Sequence, residues 1–201
     1  GTVYRQSRML RRGYTTGTCA AAAAQAAAEL LLSGRAPVSV RHTTPNGTVL
    51  TLVPEEAHME GEAAVCGIRK DSGDDPDVTG GIRIFAAVSR IPHGIEIAGG
   101  SGVGRVTRPG LKCAVGEAAI NPGPRAQITA ALETALRRHG ANGGLHAVIS
   151  AENGEAIAER TYNRHLGIVG GISILGTSGI VEPMSETALI DTIHLELDAR
   201  F

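Results

Sequence analysis

Glycine placement constrains this 201-residue chain more than any other feature. The densest stretch, Asn163 to Glu186, reads NRHLGIVGGISILGTSGIVEPMSE and carries Gly167, Gly170, Gly171, Gly176 and Gly179. Glycine loses more backbone freedom on folding than any other residue, so such a cluster marks backbone that turns tightly or approaches a ligand closely. Ser173, Thr177 and Ser178 sit among the glycines, where hydroxyls can serve a ligand or satisfy loop amides. Ser185 reads as an N-cap and Glu186 as a first-turn carboxylate, which predicts a helix running to about Ala199. A structural loop accounts for one such segment. Further glycine-rich loops elsewhere weigh toward a site.

The 27 glycines are about twice the usual share, and they fall in discrete loops without collagen periodicity. Aromatic residues make up only 2% and tryptophan is absent, so the core must be built from Ala, Val, Ile and Leu. A length of 201 residues suffices for one sizeable core, and no repeat or linker divides it. The net charge of −1 argues against nucleic acid, whose phosphates demand a basic surplus. Cys19, Cys66 and Cys113 show no paired spacing, which suits a reducing cytoplasm rather than a disulfide framework or a zinc site. Arg5, Arg8, Arg11 and Arg12 before the apolar run Cys19–Leu32 imitate a signal peptide. The alanine content of that run, with Gln25 and Glu29 inside it, reads instead as a soluble helix and no membrane segment.

In chain order, Thr15, Thr16, Gly17 and Thr18 form a hydroxyl-rich turn before a helix over about Thr18–Leu32, stopped at Ser33-Gly34. The N-terminus of that helix can present amides to an anion or simply be capped. Val38–His42 and Thr48–Val53 flank Pro45-Asn46-Gly47 as a hairpin. Ala63–Arg69, Ile82–Ser89 and Gly94–Ala98 read as strands. Between the first two lies KDSGDDPDVTGG, whose Asp71, Asp74, Asp75 and Asp77 repel one another unless solvated, hydrogen-bonded or bound to a cation. Its spacing does not fit an EF-hand. GGSGVGRVTRPGL holds Gly100, Gly102 and Gly104 but opens no helix, which rejects a dinucleotide fingerprint. Asn121-Pro122-Gly123-Pro124-Arg125 starts a helix ending near His139-Gly140. Leu145–Ser150 and Glu155–Arg160 flank Glu152-Asn153-Gly154 as a second hairpin. The class expected is α+β: mixed, largely antiparallel sheets with hairpins, and about three main helices packed on them.

RRGYTTGTCAAAAA, KDSGDDPDVT, GGSGVGRVTRPGL, INPGPR and NRHLGIVGGISILGTSGIVEPMSE, in this order, resemble the CbiD family over about Arg11 to Glu196. The resemblance is to the N-terminal part of that family, whose members continue further; residues 1–201 then form one CbiD-like N-terminal domain. It implies S-adenosylmethionine-dependent C(1)-methylation of cobalt-precorrin-5B in anaerobic cobalamin biosynthesis. The cobalt belongs to the substrate, and no protein-bound metal is implied. It also implies that the isolated chain has little activity, and leaves open a homo-oligomer or a C-terminal partner region. Such a ligand carries acetate and propionate groups, and arginine holds carboxylates bidentately.

On that basis the expected binding residues are Arg12, Thr15, Thr16, Thr18, Gly100, Gly102, Gly104, Arg105, Arg108, Asn121, Arg125, Gly170, Gly171, Ser173, Gly176 and Thr177. Asp74, Asp75, Asp77 and Glu182 are the candidate bases. Gly170, Gly171, Gly176, Ser173 and Thr177 are expected to face one cleft. Two other classes remain: a Mg²⁺-dependent phosphate-processing enzyme built on the aspartates, and a non-catalytic tetrapyrrole-binding or assembly module. The missing P-loop lysine motif counts against the first.

Overall fold

The computed structural model describes residues 2–5, 8–75 and 77–181. The predicted helix from Ser185 to Ala199 and the candidate base Glu182 lie outside the described residues. A hairpin of β1 (Thr2–Arg5) and β2 (Arg8–Arg11) is followed by β3 (Gly13–Tyr14) and α1 (Thr16–Ser33). β4 (Val40–Thr43) and β5 (Val49–Leu52) pair around the Pro-Asn-Gly turn. Then come β6 (Glu55–Glu60), β7 (Ala63–Arg69), β8 (Arg83–Ile91), β9 (Ile95–Gly99), β10 (Gly102–Val103) and β11 (Arg105–Val106). α2 (Pro122–Arg138) and β12 (Gly144–Ala151) precede two short helices, α3 (Gly154–Ala158) and α4 (Asn163–Leu166). β13 (Ile168–Val169), β14 (Gly171–Ile172) and β15 (Ile180–Val181) follow.

The central sheet has the order β6-β7-β8-β12-β9, antiparallel except for the parallel pair β12–β9. Alternation assigns its faces. Ile84, Ala86 and Val88 of β8 and Leu145, Ala147 and Ile149 of β12 are buried in the core beneath α1 and α2, whereas the residues between them are half-buried. The fold is α+β, with two long helices on one face of a mixed sheet.

The second predicted hairpin does not form. β12 is paired on both edges, by β8 and by β9, so no edge is free for a returning strand. Asn153 does turn the chain, at φ 53°, but residues after it wind into α3, which buries only Gly154 and Ile157.

α1 is buried all round. Cys19, Ala20 to Ala24 and Ala26 to Ala28 are all 0% exposed, with α2, β7, β8 and β4 packed against the helix. Alanine supplies the highest helix propensity and the least bulk, so neighbours crowd the backbone from several sides. Thr15 caps the helix by accepting from the Thr18 amide, and Gly34, left-handed at φ 77°, closes it by donating to Leu30 O. An alanine-to-leucine change in such a place has nowhere to put three carbons. Ala23→Leu is expected to cost about 1–3 kcal/mol, read as a lower urea midpoint at unchanged slope. An unchanged midpoint would mean that α1 is loosely packed.

Candidate active site

Segments distant in sequence meet at a cavity of ≈ 240 Å³. Thr15 and Thr16 come from the start of α1, Lys70 and Asp77 from the loop after β7, Asn163 from α4, and Ser173 and Gly176 from the strap after β14. Val78, Ile172, Leu175 and Val181 give it an apolar wall. The strap is bound to the α1 cap by its backbone. Gly17 N donates to Leu175 O (2.9 Å), Thr15 N to Gly179 O (3.1 Å), Leu175 N to Thr16 Oγ1 (2.9 Å) and Thr18 Oγ1 to Gly179 O (2.8 Å). Of the two readings of the α1 N-terminus, open to an anion or simply capped, the second holds: protein groups already occupy amides of its first turn. Gly176, at φ 130°, is required there, because a Cβ would lie 2.4 Å from Thr15 Oγ1.

Lys70 is the feature that sequence reading passed over. It is 3% exposed, and its ammonium donates to Ser72 Oγ (2.5 Å) and to Asp77 Oδ2 (3.1 Å). Asp77 in turn accepts from the Thr79 amide and hydroxyl, each at 2.8 Å. Partial burial alone would raise the Asp77 carboxyl, but the Thr79 hydrogen bonds and the Lys70 charge outweigh it and hold it below its ordinary range. Ser173, only 8% exposed, makes no hydrogen bond through its hydroxyl among the described residues. A buried ion pair, an orphan hydroxyl and an apolar wall thus converge on one cavity.

The four aspartates do not act together. Asp71 binds the Arg11 guanidinium (3.0 Å to Oδ1), and Asp74 accepts from the Arg11 amide while its own amide donates to Arg11 O (2.8 Å). These two fasten the loop to the end of β2, and only Asp77 reaches the cavity; Asp75 does not line it. Among the described residues, no group of three His, Cys, Asp or Glu gathers as metal ligands.

The arginines are engaged by the chain itself. Arg105 donates to Gly116 O (2.6 Å), Arg108 to His165 O (2.5 Å), and Arg125 to Ile120 O (2.7 Å) and Ala118 O (3.2 Å). Arg12 lines a separate hollow with Tyr14 and Leu50. Asn121 caps α2 by position without a side-chain cap bond.

Gly102, Gly154 and Gly171 pack backbone on backbone. A Cβ on Gly102 would lie 2.0 Å from Ala151 O, one on Gly154 2.1 Å from Gly102 O, and one on Gly171 2.2 Å from Gly102 O. Gly100 and Gly104 are closed off chiefly by side chains, Ser150 and Val148 at the first and Ile168 at the second. Gly170 is exposed with open space around it. The expected single cleft is therefore split: Ser173 and Gly176 line the 240 Å³ cavity, Thr177 faces another, and Gly170 and Gly171 border a shallow hollow near Arg164.

Thr177 belongs to a neighbouring cavity of ≈ 520 Å³ with His42 and Gln127. Gln127 Nε2 lies 2.9 Å from Thr18 Oγ1 and 2.6 Å from His42 Nε2, which ties Thr18 to that side. Burial pushes the His42 imidazole below its ordinary 6.5. A lowered folded pKa means that the unfolded chain takes up the proton first, so stability present above about pH 6.5 is lost as pH falls toward the folded value. Asp77 and Asp71, also lowered, add a second loss below their ordinary 3.8. His42→Gln is expected to flatten the fall in melting temperature between pH 7.5 and 5.5 while leaving the drop below pH 4; an unaltered upper limb would exclude His42 as its source.

The CbiD family model matches residues 3–183. The chain belongs to the CbiD family. A cobalt-precorrin-5B C(1)-methyltransferase of Ruminiclostridium cellulolyticum is 53% identical over 198 residues, which is 98% of this chain and 52% of the relative. The Pseudomonas entomophila protein of the same name is 47% identical over 96% of this chain and 53% of its own length. The crystal structure of a cobalamin biosynthesis protein (cbiD) from Archaeoglobus fulgidus aligns with TM-score 0.71 and 37% identity, covering 96% of this chain and 61% of that one. This CbiD chain spans about half the length of the curated relatives it matches. No helix among the described residues is long and apolar enough to cross a membrane.

Proposed function

We propose that this CbiD chain serves the S-adenosylmethionine-dependent methylation of ring carbon C1 of cobalt-precorrin-5B, with the 240 Å³ cavity as part of the reaction site. The matched curated relatives are named cobalt-precorrin-5B C(1)-methyltransferases. The observation that carries the reading is the convergence of Lys70, Asp77 and the unpartnered Ser173 hydroxyl beside an apolar wall. These fit a small ligand with both charged and apolar parts, as the methyl donor is. When bound, the donor supplies an electrophilic methyl group on a sulfonium sulfur. The chain's own task is positioning: fixed alignment of two reactants can supply roughly 7–11 kcal/mol of barrier reduction without a covalent intermediate. The strap bonded to the α1 cap gives that alignment a wall, and Ile172, Val78 and Leu175 make part of it apolar. Arg105 and Arg125 hold loop carbonyls with only some of their N–H donors, so either remains able to meet a carboxylate of the tetrapyrrole.

The test is a chimera in which these 201 residues replace the matched segment of the Ruminiclostridium cellulolyticum relative. With S-adenosylmethionine and cobalt-precorrin-5B it is expected to give a product heavier by one methyl group at C1. A folded chimera that binds neither compound, or methylates another ring carbon, would overturn the reading.

A further inference from the structure

We infer that the 240 Å³ cavity holds the amino-acid end of the methyl donor, its α-carboxylate and α-ammonium, and not a carboxylate of the tetrapyrrole. The inference rests on the function proposed above. Size is the first argument. Sites that enclose a whole drug-sized ligand run to roughly 300–1,000 Å³, so a cavity of ≈ 240 Å³ takes a fragment such as an amino acid.

Charge is the second. A pocket built for a ring acetate or propionate needs a net cation, yet the Lys70 ammonium is already opposed by Asp77 at 3.1 Å. A lone carboxylate brought to Lys70 would meet Asp77 as well. A zwitterion fits both: its carboxylate takes a donor of Lys70, and its ammonium takes Asp77. An ammonium has three N–H donors, and Ser72 and Asp77 use two of them. Ser173, more than nine-tenths buried, brings a hydroxyl with no other hydrogen bond among the described residues. Ile172, Leu175 and Val78 then face the methylenes that join such a group to the sulfonium sulfur.

The experiment compares S-adenosylhomocysteine with 5′-methylthioadenosine, which keeps adenosine and the thioether but has no amino acid, by titration calorimetry on the 201-residue chain. S-adenosylhomocysteine is expected to bind about ten- to a hundredfold more tightly, the usual range for hydrogen bonds to charged groups. Lys70→Met should erase that preference and leave methylthioadenosine binding unchanged. Should Lys70→Met fail to fold, Ser173→Ala removes no internal hydrogen bond and should still reduce the preference several-fold. Equal affinity for the two ligands in the native chain would overturn the assignment. So would variants that weaken both ligands alike. In either case the proposed methyltransferase reading would stand. If neither ligand binds, the assignment falls together with the donor part of the proposed function.

Discussion

Gly171→Ala is expected to destabilise the fold by at least about 3 kcal/mol, whereas Gly170→Ala next to it should cost about 1 kcal/mol. The added Cβ at Gly171 would sit 2.2 Å from Gly102 O and 2.3 Å from Gly102 C, both backbone atoms. No rotamer change relieves that contact, so the parallel pair of β10 and β14 has to separate. Gly170 has φ 88° but nothing within 4 Å, so its alanine carries only the strain of left-handed backbone. Urea denaturation of the two variants decides the matter. Equal effects would show that conformation, and not close packing, explains the glycines here.

Lys70→Met should lower methyl transfer in the chimera about ten- to a hundredfold at limiting donor and cost about 2–4 kcal/mol of stability. Removing one partner of a buried ion pair strands the other, which typically costs about 3–5 kcal/mol. The lower figure applies because the Asp77 side chain is 31% exposed and water partly compensates it. The double variant Lys70→Met with Asp77→Asn separates the two effects. It should recover most of the stability and none of the activity. Recovery of both would make Lys70 a purely structural residue.

The fold was largely readable because its signals are local. The caps of α1 and α2, the Pro-Asn-Gly hairpin and the alternating strands announce themselves within a few residues. The second hairpin was misread because the turn at Asn153 is visible in sequence while the occupied edges of β12 are not. The glycine loops do mark close approach, but at Gly102, Gly154 and Gly171 the approaching atoms belong to the chain itself. Composition cannot tell a ligand from a neighbouring loop. Arginines drew attention as carboxylate binders for the same reason, and their carbonyl partners lie in turns that no pattern predicts. Lys70 escaped because it heads a motif dominated by aspartates; its burial follows from the loop folding back so that Lys70 N donates to Ile82 O. A lysine at the end of the strand Ala63–Arg69, just past its apolar run, was the available signal.

The alanine helix has a kinetic consequence. With every side chain from Cys19 to Ala24 at 0% exposure, no partial opening of a surface loop uncovers α1. Its amides should exchange with deuterium only when the whole domain unfolds, at the slow extreme of the exchange spectrum. Cys19 shares that protection, and burial pushes its thiol far above the ordinary value, so alkylation waits on the same event. Cys113 lies instead in a small separate cluster with Val106, Ala119 and Ile168. Under mild denaturant the two thiols should therefore label at different rates, Cys113 timing the release of the 104–120 loops and Cys19 timing the loss of the molecule as a whole.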